Sequence, residues 1–216
     1  MKKMAKNRRQ AGFSTLEMLV VVAISVIITV IAVPSYLNTT AYLRIAGDVR
    51  ALNGMTAQAK MRAAADFTHA RVFADLNGNT YQLQVWNKTG ACWVVDSDPT
   101  NTCVTYSSSA PSGAISNLSQ GVTFGFGSLS TGPTPGQTTI AQAAQCRNDA
   151  NTSDIGNTAC IVFNSRGIPI DSSNSPIATG AFYVTNTSVV NAVTVSATGS
   201  IQAWSSPKTS VHWAGQ

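Results

Sequence analysis

The sequence has little charge. Asp, Glu, Lys and Arg make up 11% of its residues, against 44% hydrophobic, which is unusual for a cytosolic enzyme. It has two histidines, His69 and His212, and neither falls in an H-E-x-x-H or Cys-His spacing, so the common zinc-hydrolase pattern is missing. No G-x-S-x-G elbow marks a serine as a nucleophile. The acids beyond Glu17 are too scattered to make an acid–base pair. The reading is therefore of a protein that is not an enzyme and needs no cofactor or metal. Paired C-x-x-C cysteines are missing too: Cys92, Cys103, Cys146 and Cys160 stand far apart, which argues for disulfides over a zinc site. Three connectivities are possible, and nearest-neighbour pairing, which closes two short loops, is the favoured one.

What charge there is has an uneven distribution. Lys2, Lys3, Lys6, Arg8 and Arg9 supply five of the fourteen basic residues, and all nine acidic residues follow Gly12. Beyond Gly12 the chain carries nine charges of each sign, so the net charge of +5 belongs to its first residues. Such a chain has weak general affinity for nucleic acid, and its basic start speaks of membrane orientation.

From Phe13 to Val33 the residues are almost all apolar, with Glu17 as the one charge. As a helix this stretch spans about 30 Å, the thickness of a bilayer's hydrocarbon core. The basic residues before it favour a cytoplasmic N-terminus and an exported remainder. An ordinary secretory signal would place small residues after a shorter apolar run; here Ala11-Gly12 comes first. A carboxylate at the depth of Glu17 needs a partner. Cleavage after Gly12 would create one, the α-amine of Phe13, on the same subunit or on a neighbour.

Gly12-Phe13-Ser14-Thr15-Leu16-Glu17-Met18-Leu19, after a short basic leader and before a long apolar run, resembles the processing site of type IV pilins and type II secretion pseudopilins. The resemblance implies that a prepilin peptidase removes residues 1–12 and that Phe13 is N-methylated. It also implies that Glu17 aligns subunits in a filament of other pilins or pseudopilins. The expected location is the bacterial inner membrane, crossed once with the head in the periplasm, and then a pilus or pseudopilus. Pro34 matches a proline common in the family and would kink or locally unwind the helix.

Beyond Pro34, Tyr42, Ile45, Val49, Leu52, Met55, Ala59 and Ala63 recur every three or four residues, which extends an amphipathic helix over 34–66. From 67 to 216 the period changes to two. Strands are expected at 70–75, 80–87, 92–96, 122–125, 159–164, 181–186, 192–197 and 200–204, and the stretches 107–121 and 128–157 read as loops. The fold class is α+β: a long helix, apolar in its first half and packed by its second half on a β-rich head. Asp75-Leu76-Asn77-Gly78-Asn79 reads as a hairpin turn; its glycine is misplaced for a calcium loop.

Cys160 to Pro169 and Val193 to Ile201 are similar to two strand-turn signatures of GspH/FimT-like minor pilins. For some of those, the resemblance implies DNA capture through basic residues near the end of the head. This chain departs there: Ser200-Ile201-Gln202-Ala203-Trp204 has no arginine, and Lys208 alone follows. Trp204, Trp213, Lys208 and His212 are left to stack and pair with a strand. A structural filament subunit is the first expectation, and DNA capture in natural transformation is the alternative.

Overall fold

The computed structural model of the chain describes residues 14–96, 98–104, 114–134, 137 and 139–216. The chain divides into two compact units, one ending at Thr40 and the other comprising Ala41–Gln216. One helix, α1 (Thr15–Ala65), contributes to both.

Ser14 caps α1: its hydroxyl accepts from the Leu16 N–H at 3.2 Å, and its carbonyl takes the Met18 N–H. The other end is closed by two backbone bonds, Thr68 N–H to Ala63 O and Phe67 N–H to Ala64 O. This is a Schellman closure, with Phe67 at the left-handed position (φ 48°) that glycine usually takes.

Within the second unit, α1 buries Ile45, Val49, Leu52, Thr56, Ala59 and Ala63, spaced alternately four and three apart. This stripe corrects the expected one in two places. Tyr42 is exposed, and Thr56 is the fully buried residue at a level where Met55 is only partly buried. Thr56 can sit in the core because its hydroxyl donates to Leu52 O at 2.7 Å, so no polar group is left without a partner.

The strands form two antiparallel sheets. The first uses β1 (Ala70–Asp75), β2 (Thr80–Asn87), β3 (Cys92–Val95), β4 (Ser116–Asn117), β6 (Thr158–Phe163) and β7 (Pro169–Ile170), in the order β3-β2-β1-β6-β7 with β4 on β2. The second uses β5 (Thr123–Phe124), β8 (Gly180–Thr185), β9 (Val189–Val195), β10 (Ile201–Pro207) and β11 (Ala214–Gly215), in the order β11-β10-β9-β8-β5. The α+β class is as expected. The short strands β4, β7 and β11 carry too few residues to show a period of two.

Alternation assigns the faces. Val72, Leu83, Ile161 and Phe163 of the first sheet and Phe182, Val184, Val193 and Val195 of the second meet the stripe of α1 in the main core. The opposite faces are covered as well. Phe73, Cys146 and Cys160 cluster on the first sheet, and Tyr183, Ala181, Val190, Ala192 and Leu129 on the second. The expected loop 128–157 supplies much of this cover. Gln142 lies along β8, its side-chain amide donating to Tyr183 O and accepting from the Tyr183 N–H, and Cys160 N–H donates to Ala144 O at 2.8 Å. An irregular segment thus provides the backbone partners that a further strand would have given.

Tyr183 is fully buried, edge-on to Phe126 and Trp213, and burial pushes its phenol up to about 12 from the ordinary 10. The folded chain holds this proton more tightly than the unfolded chain does. Its contribution to stability is therefore intact below pH 10 and is lost as pH rises toward 12. Alkaline titration followed by tyrosinate absorbance should show loss of head structure within that window, and Tyr183→Phe should flatten the dependence.

Candidate functional site

From Ser14 to Thr39 every residue is exposed, although Met18 to Val33 is apolar but for Ser25 and Thr29, and the one charge of the stretch is Glu17. Large apolar side chains such as Leu16, Leu19, Ile27 and Ile31 have 60–75% of their surface open. α1 is long and apolar enough to cross a membrane. Its few polar side chains suit such surroundings. Ser25, Thr29, Thr39 and Thr40 turn their hydroxyls back onto the carbonyls of Val21, Ser25, Ser35 and Leu37 at 2.7–2.9 Å, so these four donors need no solvent. Glu17 lies in the first turn, where the helix dipole favours a negative side chain. Pro34 lies inside α1, and the helix passes through it without a break. Gly12 and Phe13, the expected cleavage and methylation positions, lie outside the described residues.

In the head each cysteine bonds to its neighbour in sequence, Cys92 to Cys103 and Cys146 to Cys160. Asp75 stabilises the β1–β2 turn, with Oδ1 accepting from the Asn77 and Gly78 N–H groups at 3.0 Å. Among the described residues no cluster of His, Cys, Asp and Glu could hold a metal ion. His69 is half-buried, and burial, with Lys88 nearby, lowers its pKa; His212 is exposed. The aromatic residues considered for strand binding are engaged by the protein itself. Trp204 Nε1 donates to Thr194 Oγ1 and Trp213 Nε1 to Thr131 O, both at 2.9 Å, while Lys208 Nζ donates to Asn186 O at 3.3 Å.

The two strand-turn segments singled out in the sequence come together. Asn164–Ile168 joins β6 to β7, and Ser196–Ser200 joins β9 to β10. Each five-residue turn is built alike: the first N–H reaches the fifth carbonyl and the fourth residue, a glycine, returns its N–H to the first carbonyl. Gly167 and Gly199 have φ of 72° and 75°. The turns touch, since a Cβ on Gly199 would overlap the Gly167 carbonyl oxygen. Lys60 of α1 lies across both, its Nζ donating to Gly199 O at 2.9 Å and its aliphatic stem lying against Gly167. Lys60 follows the buried Ala59 in α1, at the edge of the stripe that faces the sheets.

Comparison with known protein families, curated proteins and solved structures finds no match to this chain. The chain therefore stands on its own geometry: a membrane-capable helix, uncovered over its first 25 or so residues, continuing into a disulfide-bonded β head.

Proposed function

We propose that this protein is a minor pilin or type II pseudopilin, held in the inner membrane by α1 until that helix enters a filament. The observation that carries the reading is the run from Ser14 to Thr39, mostly apolar and exposed on every side, with a single carboxylate at its front. So large an apolar surface needs a bilayer or partner helices around it. A membrane would satisfy the aliphatic side chains and leave Glu17 costly; a neighbouring subunit with a free α-amine at the same level satisfies both. The Gly12-Phe13 junction would create that amine, with a prepilin peptidase as the processing partner.

Mass spectrometry of the protein from its native host tests this reading. The expected mature chain begins at N-methylated Phe13. An intact leader with no pilin partners co-purifying would point to a solitary membrane-anchored β domain instead. Glu17→Ala should still insert in the membrane but enter filaments poorly, measured by its share in sheared filament fractions; normal incorporation counts against a role for Glu17 in assembly.

A further inference from the structure

The face of the first sheet turned away from the main core is not simply roofed. The loop closed by Cys146–Cys160 and the loop after β7 leave a cavity of about 560 Å³ between themselves and the sheet, within the roughly 300–1,000 Å³ of ligand sites. Its floor is apolar and aromatic. Trp86 and Trp93 meet edge to face, with ring centroids 5.3 Å apart, and Val162 and Ile170 extend the surface. Arg71, fully buried, also lines the cavity on this face, with its guanidinium carbon 4.0 Å from the Trp93 ring centroid. Its Nε donates to Gln84 Oε1 and its Nη1 to the Arg147 carbonyl, each at 2.8 Å.

The walls are held by their own bonds. Asp149 accepts the Trp93 N–H, Arg147 pairs with Asp154 at 2.8 Å, and Asn151 Nδ2 reaches Ser172 O at 2.7 Å, tying one loop to the other. The cavity is thus formed before anything enters it, which lowers the cost of binding. Both arginines are already engaged, and Asp149, Asp154 and Asp171 stand around the opening, so the site does not offer the unspent positive charge that a phosphate or nucleotide requires. At His69, also in the lining, burial and then Lys88 lower the pKa, which disfavours a positive charge there.

We infer that this cavity binds a neutral glycan, stacking a pyranose ring on the half-buried Trp86, which the buried Trp93 backs edge to face, with the sugar hydroxyls toward the carboxylate and amide rim. A pyranose ring has an apolar C–H face that stacks on an indole, and hydroxyls at its edge that both donate and accept. Those are the two kinds of surface the cavity presents. The site belongs to the head alone and does not depend on filament entry.

The test uses the full chain in zwitterionic detergent without sugar headgroups. It is titrated with glucose, galactose, N-acetylglucosamine, cellobiose, lactose and diacetylchitobiose, and followed by the indole resonances of its tryptophans. At least one sugar should move the Trp86 and Trp93 signals saturably and leave those of Trp204 and Trp213 in place. Trp86→Ala should weaken that binding about tenfold or more, the loss of one stacking partner. Because Trp86 is part of the packing, Gln145→Trp serves as a second variant: Gln145 is exposed at the cavity lining, and the added indole intrudes on the ring-binding space from outside the core. Binding should then vanish while near-ultraviolet circular dichroism stays native. The inference is overturned if no sugar shifts these resonances at millimolar concentration, if binding survives Gln145→Trp, or if choline binds where every sugar fails.

Discussion

Gly199→Ala is expected to destabilise the head by about 3–5 kcal/mol, counting the left-handed backbone and the overpacking together. The first part is conformational: φ at Gly199 is 75°, where an alanine Cβ crowds the following carbonyl. The second is steric, because the Gly167 carbonyl oxygen occupies the place of the new Cβ, and backbone cannot step aside as a flexible side chain could. Moving the turn away would also break the bond from Lys60 Nζ to Gly199 O, detaching α1 from the sheet end. Gly121→Ala supplies the control. Its φ is 84°, but nothing lies within 4 Å of its Cβ position, so it should lose only the conformational part, about 1–2 kcal/mol. Chemical denaturation of both variants in the same detergent separates the two terms. Equal losses would show that the contact between the turns carries no weight.

This node shows how far the sequence could be read. Gly167 and Gly199 stand out as turn glycines because each ends a short polar stretch between strand patterns, but nothing in either segment says that the other lies against it. Local turns are legible because the residues that make them are adjacent. β1 and β2 have the expected limits for this reason: Asp75 and Asn77-Gly78-Asn79 form the turn with their own backbone and side-chain groups. Contacts between distant segments leave a weaker trace.

Arg71 is the clearest case. In a strand with Ala70, Val72 and Ala74 on one face, an arginine on the other reads as solvated, and the alternation itself is correct. The second face is buried only because the disulfide loop folds over it, and the composition of that loop, rich in Asn, Asp and Thr, reads as surface. Leu129 and Ala143 are buried as single residues in irregular backbone, where no period exists to mark them. The cavity was hidden for the same reason, since Trp86 and Trp93 become a floor only when walls from residues 144–154 and 171–179 are set above them. Tyr42 failed differently. It lies one turn before Ile45 and Ala46, where burial of α1 begins, so it keeps the spacing of the stripe without a surface to cover it.

The Cys146–Cys160 disulfide should matter more than Cys92–Cys103, although their loops are of similar length, with separations of 14 and 11 residues. Loop-closure entropy alone makes each worth about 3 kcal/mol. Burial distinguishes them. Cys146 and Cys160 are both buried and pack with Phe73, Ile155 and Val162, whereas the outer bridge joins a buried Cys92 to an exposed Cys103. Replacing the inner pair by alanine therefore removes packed sulfur atoms from a cluster as well as the crosslink, and a loss of about 3–5 kcal/mol is expected. Replacing Cys92 and Cys103 should cost about 2–3 kcal/mol. Denaturation of the two double variants under oxidising conditions gives the comparison, and an equal or reversed order would refute the role given to burial. The inner pair also fixes the loop from which Arg147, Asp149 and Asn151 take their places around the cavity. Its removal should abolish saturable sugar binding at temperatures where the rest of the head stays folded, whereas the outer pair, which is not part of that wall, should leave binding nearly intact.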